Sequence, residues 1–215
     1  MDTDKSVVQW VNGVCSALSI IGELFVIGSY YYHKQIQSFS MKLVLWLVYA
    51  NLLFSISNLM SYWYTDPLIC GIEGYLRTTS IISGLVWMVI ILRVSYNQTF
   101  EYDANIDKKF PRYLLANIII SIAPGTITLL GDIWKRGPEF AVSEEGYFCD
   151  IMNYYFQLVL VDAPIWIAMF LTIWYCWKII TVIKTTIKKV SIKSYINIII
   201  YPALMSALWL LPMIN

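Results

Sequence analysis

Apolar residues in this chain run in long unbroken blocks separated by short polar connections, with no strict alternation and no single apolar stripe. Six blocks stand out: Val7 to Tyr32, Leu43 to Tyr64, Leu68 to Leu92, Tyr113 to Ile133, Tyr154 to Trp177 and Tyr195 to Ile214. Each is as long as the roughly 20 residues a helix needs to cross a hydrocarbon core about 30 Å thick. A helix apolar on every side has no face for water, so the pattern predicts an all-α integral membrane protein, a single transmembrane domain built as a six-helix bundle. Pro124, Pro164, Pro202 and Pro212 fall inside blocks. Neighbouring helices in a membrane bundle re-satisfy the backbone groups that proline frees, so these positions predict kinks and not ends.

Composition agrees. Of 215 residues, 59% are hydrophobic and 13% charged, and the mean hydropathy is +0.63. A soluble domain carries roughly 25% charged residues, so most of this surface does not face water. The formal net charge of +1 gives no electrostatic footprint for nucleic acid and is far from the charge of a disordered tail. The acidic start, MDTDKSVVQW, lacks a basic region and a small-residue cleavage site, and is expected to be retained.

Charge placement orients the bundle. Lys34, Lys42, Arg93, Lys108, Lys109, Arg112, Lys178, Lys184, Lys188, Lys189 and Lys193 lie in or beside the connections after blocks one, three and five. The other side holds Lys5, Lys135 and Arg136 and collects Asp2, Asp4, Asp66, Asp132, Glu139, Glu144, Glu145 and Asp150. By the positive-inside rule the N-terminus is expected outside, and the membrane lipid is the first partner.

Polar residues inside or at the mouths of the blocks are the candidate chemistry. Cys70 and Cys149 both fall on the predicted outer side, where an oxidising compartment favours a bridge over two free thiols. Cys15 and Cys176 lie within blocks and read as buried apolar side chains. Counting inward from Lys34 and Lys42 puts Glu23 and Asn51 at about the same depth, about 16 and 14 Å along their helices. A carboxyl in hydrocarbon is costly unless paired or neutral, so a polar clasp between a neutral Glu23 and Asn51 is expected. Glu73 and Arg77 stand one turn apart in the outer half of block three and are expected to form an ion pair. Asp162, two residues before Pro164, lies toward the same side. Glu73, Arg77 and Asp162 can then line one outward ligand cavity, with Trp87 and Trp166 as walls. No metal site and no catalytic motif accompanies them: the single histidine, His33, sits at a helix end, and no HExxH or GxSxG occurs. The run Lys184, Lys188, Lys189 and Lys193 reads as a lipid anchor or as a docking surface for a cytoplasmic partner.

The stretch IIGELFVIGSYYYHKQIQSFSMKLVLWLVYANLLFSIS resembles the first two helices of the slime-mould cyclic-AMP receptor-like group of G-protein-coupled receptors, and YPALMSALWLLPMIN is similar to that group's helix six. Cys70 with Trp87 matches its helix three and Cys149 its loop cysteine. Asn51 departs from an expected aspartate, Arg93 has no adjacent acid, and the sequence stops short of a seventh helix. The resemblance implies a receptor that binds an extracellular small molecule, couples to a heterotrimeric G protein, sits in the plasma membrane and needs no cofactor. A transporter or channel subunit lined by Glu23, Arg77 and Asp162, or a non-signalling truncated accessory protein, are the alternatives that the residues leave open.

Overall fold

The computed structural model describes residues 2–60, 67–97, 106–134, 140–142, 149–151 and 154–186. Helices α1 (Asp2–Tyr32), α2 (Phe39–Met60), α3 (Pro67–Tyr96) and α4 (Ile106–Trp134) are followed by a small hairpin of β1 (Phe140–Val142) and β2 (Cys149–Ile151). A short α5 (Tyr154–Gln157) then passes through a π turn, Leu158–Asp162, into α6 (Ala163–Thr186). Among the described residues five helical spans are long and apolar enough to cross a membrane, the last running continuously over Tyr154–Thr181. The sixth predicted block, 195–214, lies outside the described residues, as do Lys188, Lys189 and Lys193, so five helices stand where the pattern predicts six. Large apolar side chains cover the outer surfaces, among them Phe25 at 75% and Phe170 at 67% exposure. Such a surface is stable against lipid tails and not against water.

The helix α3 is the hub, packing on α2, α4, α6 and both strands. Its seam with α4 is built on small and polar side chains: Ser83 donates to the Asn117 side-chain carbonyl at 2.9 Å, and the Asn117 amide returns a bond to the Ser83 carbonyl at 3.0 Å. With no hydrophobic force between helices in lipid, such bonds and close backbone approach hold a membrane bundle. Gly125 shows the approach: a Cβ there would lie 2.8 Å from the Tyr75 ring and 2.9 Å from the Thr79 hydroxyl. Gly125→Ala is expected to destabilise the bundle by about 1–3 kcal/mol, read as a lower Tm of the purified protein.

The connection between α1 and α2 sets their register. After Tyr32 the chain makes a single 3-10 turn, Lys34–Ile36, and re-enters at Phe39, while the Tyr31 and Tyr49 hydroxyls bond at 3.1 Å. Counted from that pair, Glu23 lies about 12 Å along α1, Ser55 about 9 Å along α2, and Asn51 only about 3 Å. Glu23 therefore meets Ser55, whose hydroxyl donates to its carboxyl at 3.1 Å. The expected partner, Asn51, faces Gly84 of α3 instead. The clasp between the first two helices exists, but its second member sits one turn deeper than depth counting from the lysines suggests.

Proline acts as expected for a bundle at Pro164. The π turn just before it closes with a bond from the Ala163 amide to the Leu158 carbonyl, a wider ring in the segment where the missing proline N–H leaves the α-helical ladder incomplete. Pro111 and Pro124 both sit inside α4.

Candidate functional site

One end of α3 carries the polar residues singled out above. Its first turns place Cys70, Glu73 and Arg77 along one end of the helix, and a disulfide joins Cys70 to Cys149 with 5.4 Å between their α-carbons. That link draws the β1–β2 hairpin across the mouth of the bundle. The strands pair antiparallel, with Phe140 opposite Ile151 and Val142 opposite Cys149. Phe140, Cys149 and Ile151 are all buried, so the hairpin is packed into the bundle and does not float above it.

Two features of α3 receive it. Gly74 leaves the space in which the Phe140 ring lies; a Cβ at that position would run into the ring. Glu73, fully buried, turns one carboxylate oxygen toward the loop and accepts the Cys149 N–H at 3.4 Å. The disulfide, the glycine seat and this hydrogen bond lie within five successive residues of one helix, and together they make Glu73 an anchor for the lid. Gly74→Leu is expected to expel Phe140 and loosen the hairpin, seen as faster limited proteolysis between β1 and β2.

Arg77 lies one turn deeper than Glu73 and is half-buried. Asp162 ends the π turn on the neighbouring span, also half-buried. Val161, just before it, packs against the buried cluster of Leu85, Ile165 and Ala168. Glu73 and Arg77 thus share the lidded end of α3, and Asp162 lies on the neighbouring span. Trp87 does not join them. It follows Arg77 by ten residues, about 15 Å further along α3, and is 1% exposed. It stacks between Trp46 at 6.0 Å and Phe110 at 6.3 Å, within a core of Leu43, Leu47, Ile90 and Val94. With no surface to offer, it is a core residue of the opposite end and not a wall of the outer cavity. Trp166 is 43% exposed on α6.

The far end is basic and aromatic. Lys42 lies over the Phe110 ring at 4.1 Å, and Lys178 over Trp174 at 4.1 Å and Tyr96 at 5.6 Å. These cations use aromatic faces at the depth where helix ends leave hydrocarbon. Lys184 falls in the last turn of α6. Between the two ends, an apolar cleft of about 340 Å³ opens among α3, α4 and α6, lined by residues such as Val86, Ile120, Pro164 and Leu171.

The arrangement of the helices has a solved counterpart. Squid rhodopsin superimposes with a TM-score of 0.66 over 86% of this chain and 54% of its own, at 13% sequence identity. The fold is rhodopsin-like. A G-protein coupled receptor 1 from Arabidopsis thaliana is 24% identical over 107 residues, 48% of this chain and 32% of that receptor. The chain thus spans about half of the first relative and a third of the second. No family model matches it. Both likenesses are to receptors, and among the described residues no group of histidine, cysteine and acidic side chains is placed to hold a metal.

Sequence reasoning missed the residues that seat the lid. Gly74 and Phe140 carry no motif, although a glycine directly after a buried acid and four residues after the bridging cysteine is a signal for close approach. Ser55, Ser83 and Asn117 were equally silent, being ordinary polar residues in apolar blocks.

Proposed function

We propose that this chain is the helical part of a receptor that binds a small molecule at the disulfide-bonded end and signals through a heterotrimeric G protein at the basic end. The observation that carries the reading is the buried lid: the Cys70–Cys149 bridge and the Glu73 bond hold a hairpin against the first turns of α3 in a rhodopsin-like bundle. A disulfide persists in an oxidising compartment, which supports an orientation with that end, and the N-terminus, outside the cytoplasm. The positive-inside rule puts the lysine-rich end in it, and the plasma membrane is the location that suits both. The likeness of the first two blocks and of YPALMSALWLLPMIN to the slime-mould cyclic-AMP receptor-like group supports the same reading.

Arg77 supplies the cation for an anionic ligand group and Asp162 a carboxylate across from it, while Glu73 keeps the lid in register. Ligand contact shifts a two-state bundle, and the π turn before Pro164 gives the fifth span a place to adjust. Lys184, Lys188, Lys189 and Lys193 receive the G protein.

Charge reversal at Lys188 and Lys189 is expected to abolish basal nucleotide exchange by a co-reconstituted G protein while surface expression stays at the level of the unaltered chain. Unchanged exchange, or loss of expression with it, would assign these lysines to lipid anchoring. In the same assay Arg77→Ala, made with Glu73→Gln so that no orphan carboxylate remains, removes the response to anionic ligands and leaves the protein folded.

A further inference from the structure

The outer face of α4 carries a stripe that the receptor reading does not use. Lys108, Arg112, Leu115, Ile119 and Ile122 recur at the three- and four-residue spacing that lines up side chains along a helix, and all five are exposed. Among the described residues no contact accounts for the two cations. They stand one turn apart, where like charges repel, and near the N-terminal end of the helix, where the dipole already disfavours positive charge. Among the described residues neither has a carboxylate or aromatic partner, in contrast to Lys42 and Lys178 at the same end of the bundle. Asp107, three residues before Phe110, shares the side of the helix on which Phe110 packs inward, away from the stripe.

Beyond Arg112 the stripe is aliphatic, with Leu115 at 58% and Ile119 at 59% exposure. From Arg112 to Ile122 is about 15 Å of helix, half of a hydrocarbon core about 30 Å thick and so the depth of one leaflet. We propose that this face of α4 holds one anionic phospholipid, its phosphate between Lys108 and Arg112 and an acyl chain along Leu115, Ile119 and Ile122. The charges, the exposed apolar run and its length match the two halves of one lipid molecule. A soluble phosphate would use only the first half. The inference stands on the fold alone and does not depend on what the opposite end binds.

Native mass spectrometry of the full chain in detergent, titrated with phosphatidylglycerol or with phosphatidylcholine of equal chain length, tests it. One phosphatidylglycerol is expected to remain bound per chain, with phosphatidylcholine at least tenfold weaker. K108Q with R112Q should lower phosphatidylglycerol retention at least tenfold, the charge-preserving pair K108R and R112K should retain it, and K178Q should leave it unchanged. Glycerol 3-phosphate in excess should not displace the lipid. Equal retention of phosphatidylcholine, displacement by glycerol 3-phosphate, or an unaltered titration in the double glutamine variant would each overturn the proposal. Loss of G-protein exchange in that variant with lipid retention intact would give this face to a protein partner and overturn it as well.

Discussion

Trp87→Ala is expected to destabilise the bundle by about 3–5 kcal/mol, the largest effect of any single truncation considered for this chain. The indole is 1% exposed and nearly parallel to two flanking rings, at 24° to Trp46 and 25° to Phe110. Around it close Leu43, Leu47, Ile90 and Val94, so helices α2, α3 and α4 all contribute to the cluster that its loss would hollow out. The partly buried Phe39 and Trp46 also pack there, leaving little that can collapse into the void. Trp87→Phe keeps an aromatic ring in the stack and should cost much less. Thermal unfolding of the purified variants decides the matter: a lowered Tm is the signature of a core residue, whereas an unchanged Tm with weakened ligand binding is that of a cavity wall.

The second large effect is at the other end. Replacing Cys70 and Cys149 together by serine is expected to cost about 2–4 kcal/mol, because the bridge closes a loop of 79 residues' separation that the unfolded chain would otherwise sample freely. Both thiols are replaced so that no lone cysteine is left to form mixed disulfides. The same change releases β2, whose Cys149 amide is the donor to Glu73. Glu73→Gln alone should cost less, since the amide oxygen still accepts that bond. The effects are expected to be less than additive: bridge and carboxylate hold the same strand, and once the covalent tether is gone the hydrogen bond has less to hold. Thermal unfolding of the two variants and of the triple combination, compared with the unaltered chain, gives the coupling directly.

The helical spans were legible in the sequence because a membrane helix must satisfy every backbone group internally and present carbon in all directions, which leaves unbroken blocks of some 20 apolar residues. The bridge was legible too, since Cys70 and Cys149 are the two cysteines outside the apolar interior of the blocks. Helix register was not. Glu23 and Asn51 seemed level when each was measured from its nearest lysine, but the 3-10 turn and the Tyr31–Tyr49 bond offset the two helices by about a turn, and Ser55 took the place of Asn51. Trp87 could have been placed correctly by counting: seventeen residues from Cys70 is about 26 Å, close to the far side of the bilayer. The hairpin carried no signal of its own. Strands of three residues are too short for alternation to show, and β1 and β2 are positioned by what they bond to on α3 rather than by their own pattern. The helices also extend past their apolar blocks: α4 begins at Ile106, before Lys108 and Arg112, because backbone hydrogen bonding continues through the polar boundary where hydropathy has already fallen.

Everything proposed for the two ends rests on which of them faces the cell exterior. An epitope tag placed before Met1, stained in intact and in permeabilised cells, reports that orientation. The account predicts that the tag before Met1 is labelled on intact cells, together with the end that carries Cys70, Cys149, Glu73 and Arg77. Labelling of that tag only after permeabilisation would put the lidded end in the cytoplasm and contradict a receptor that binds its ligand there from outside.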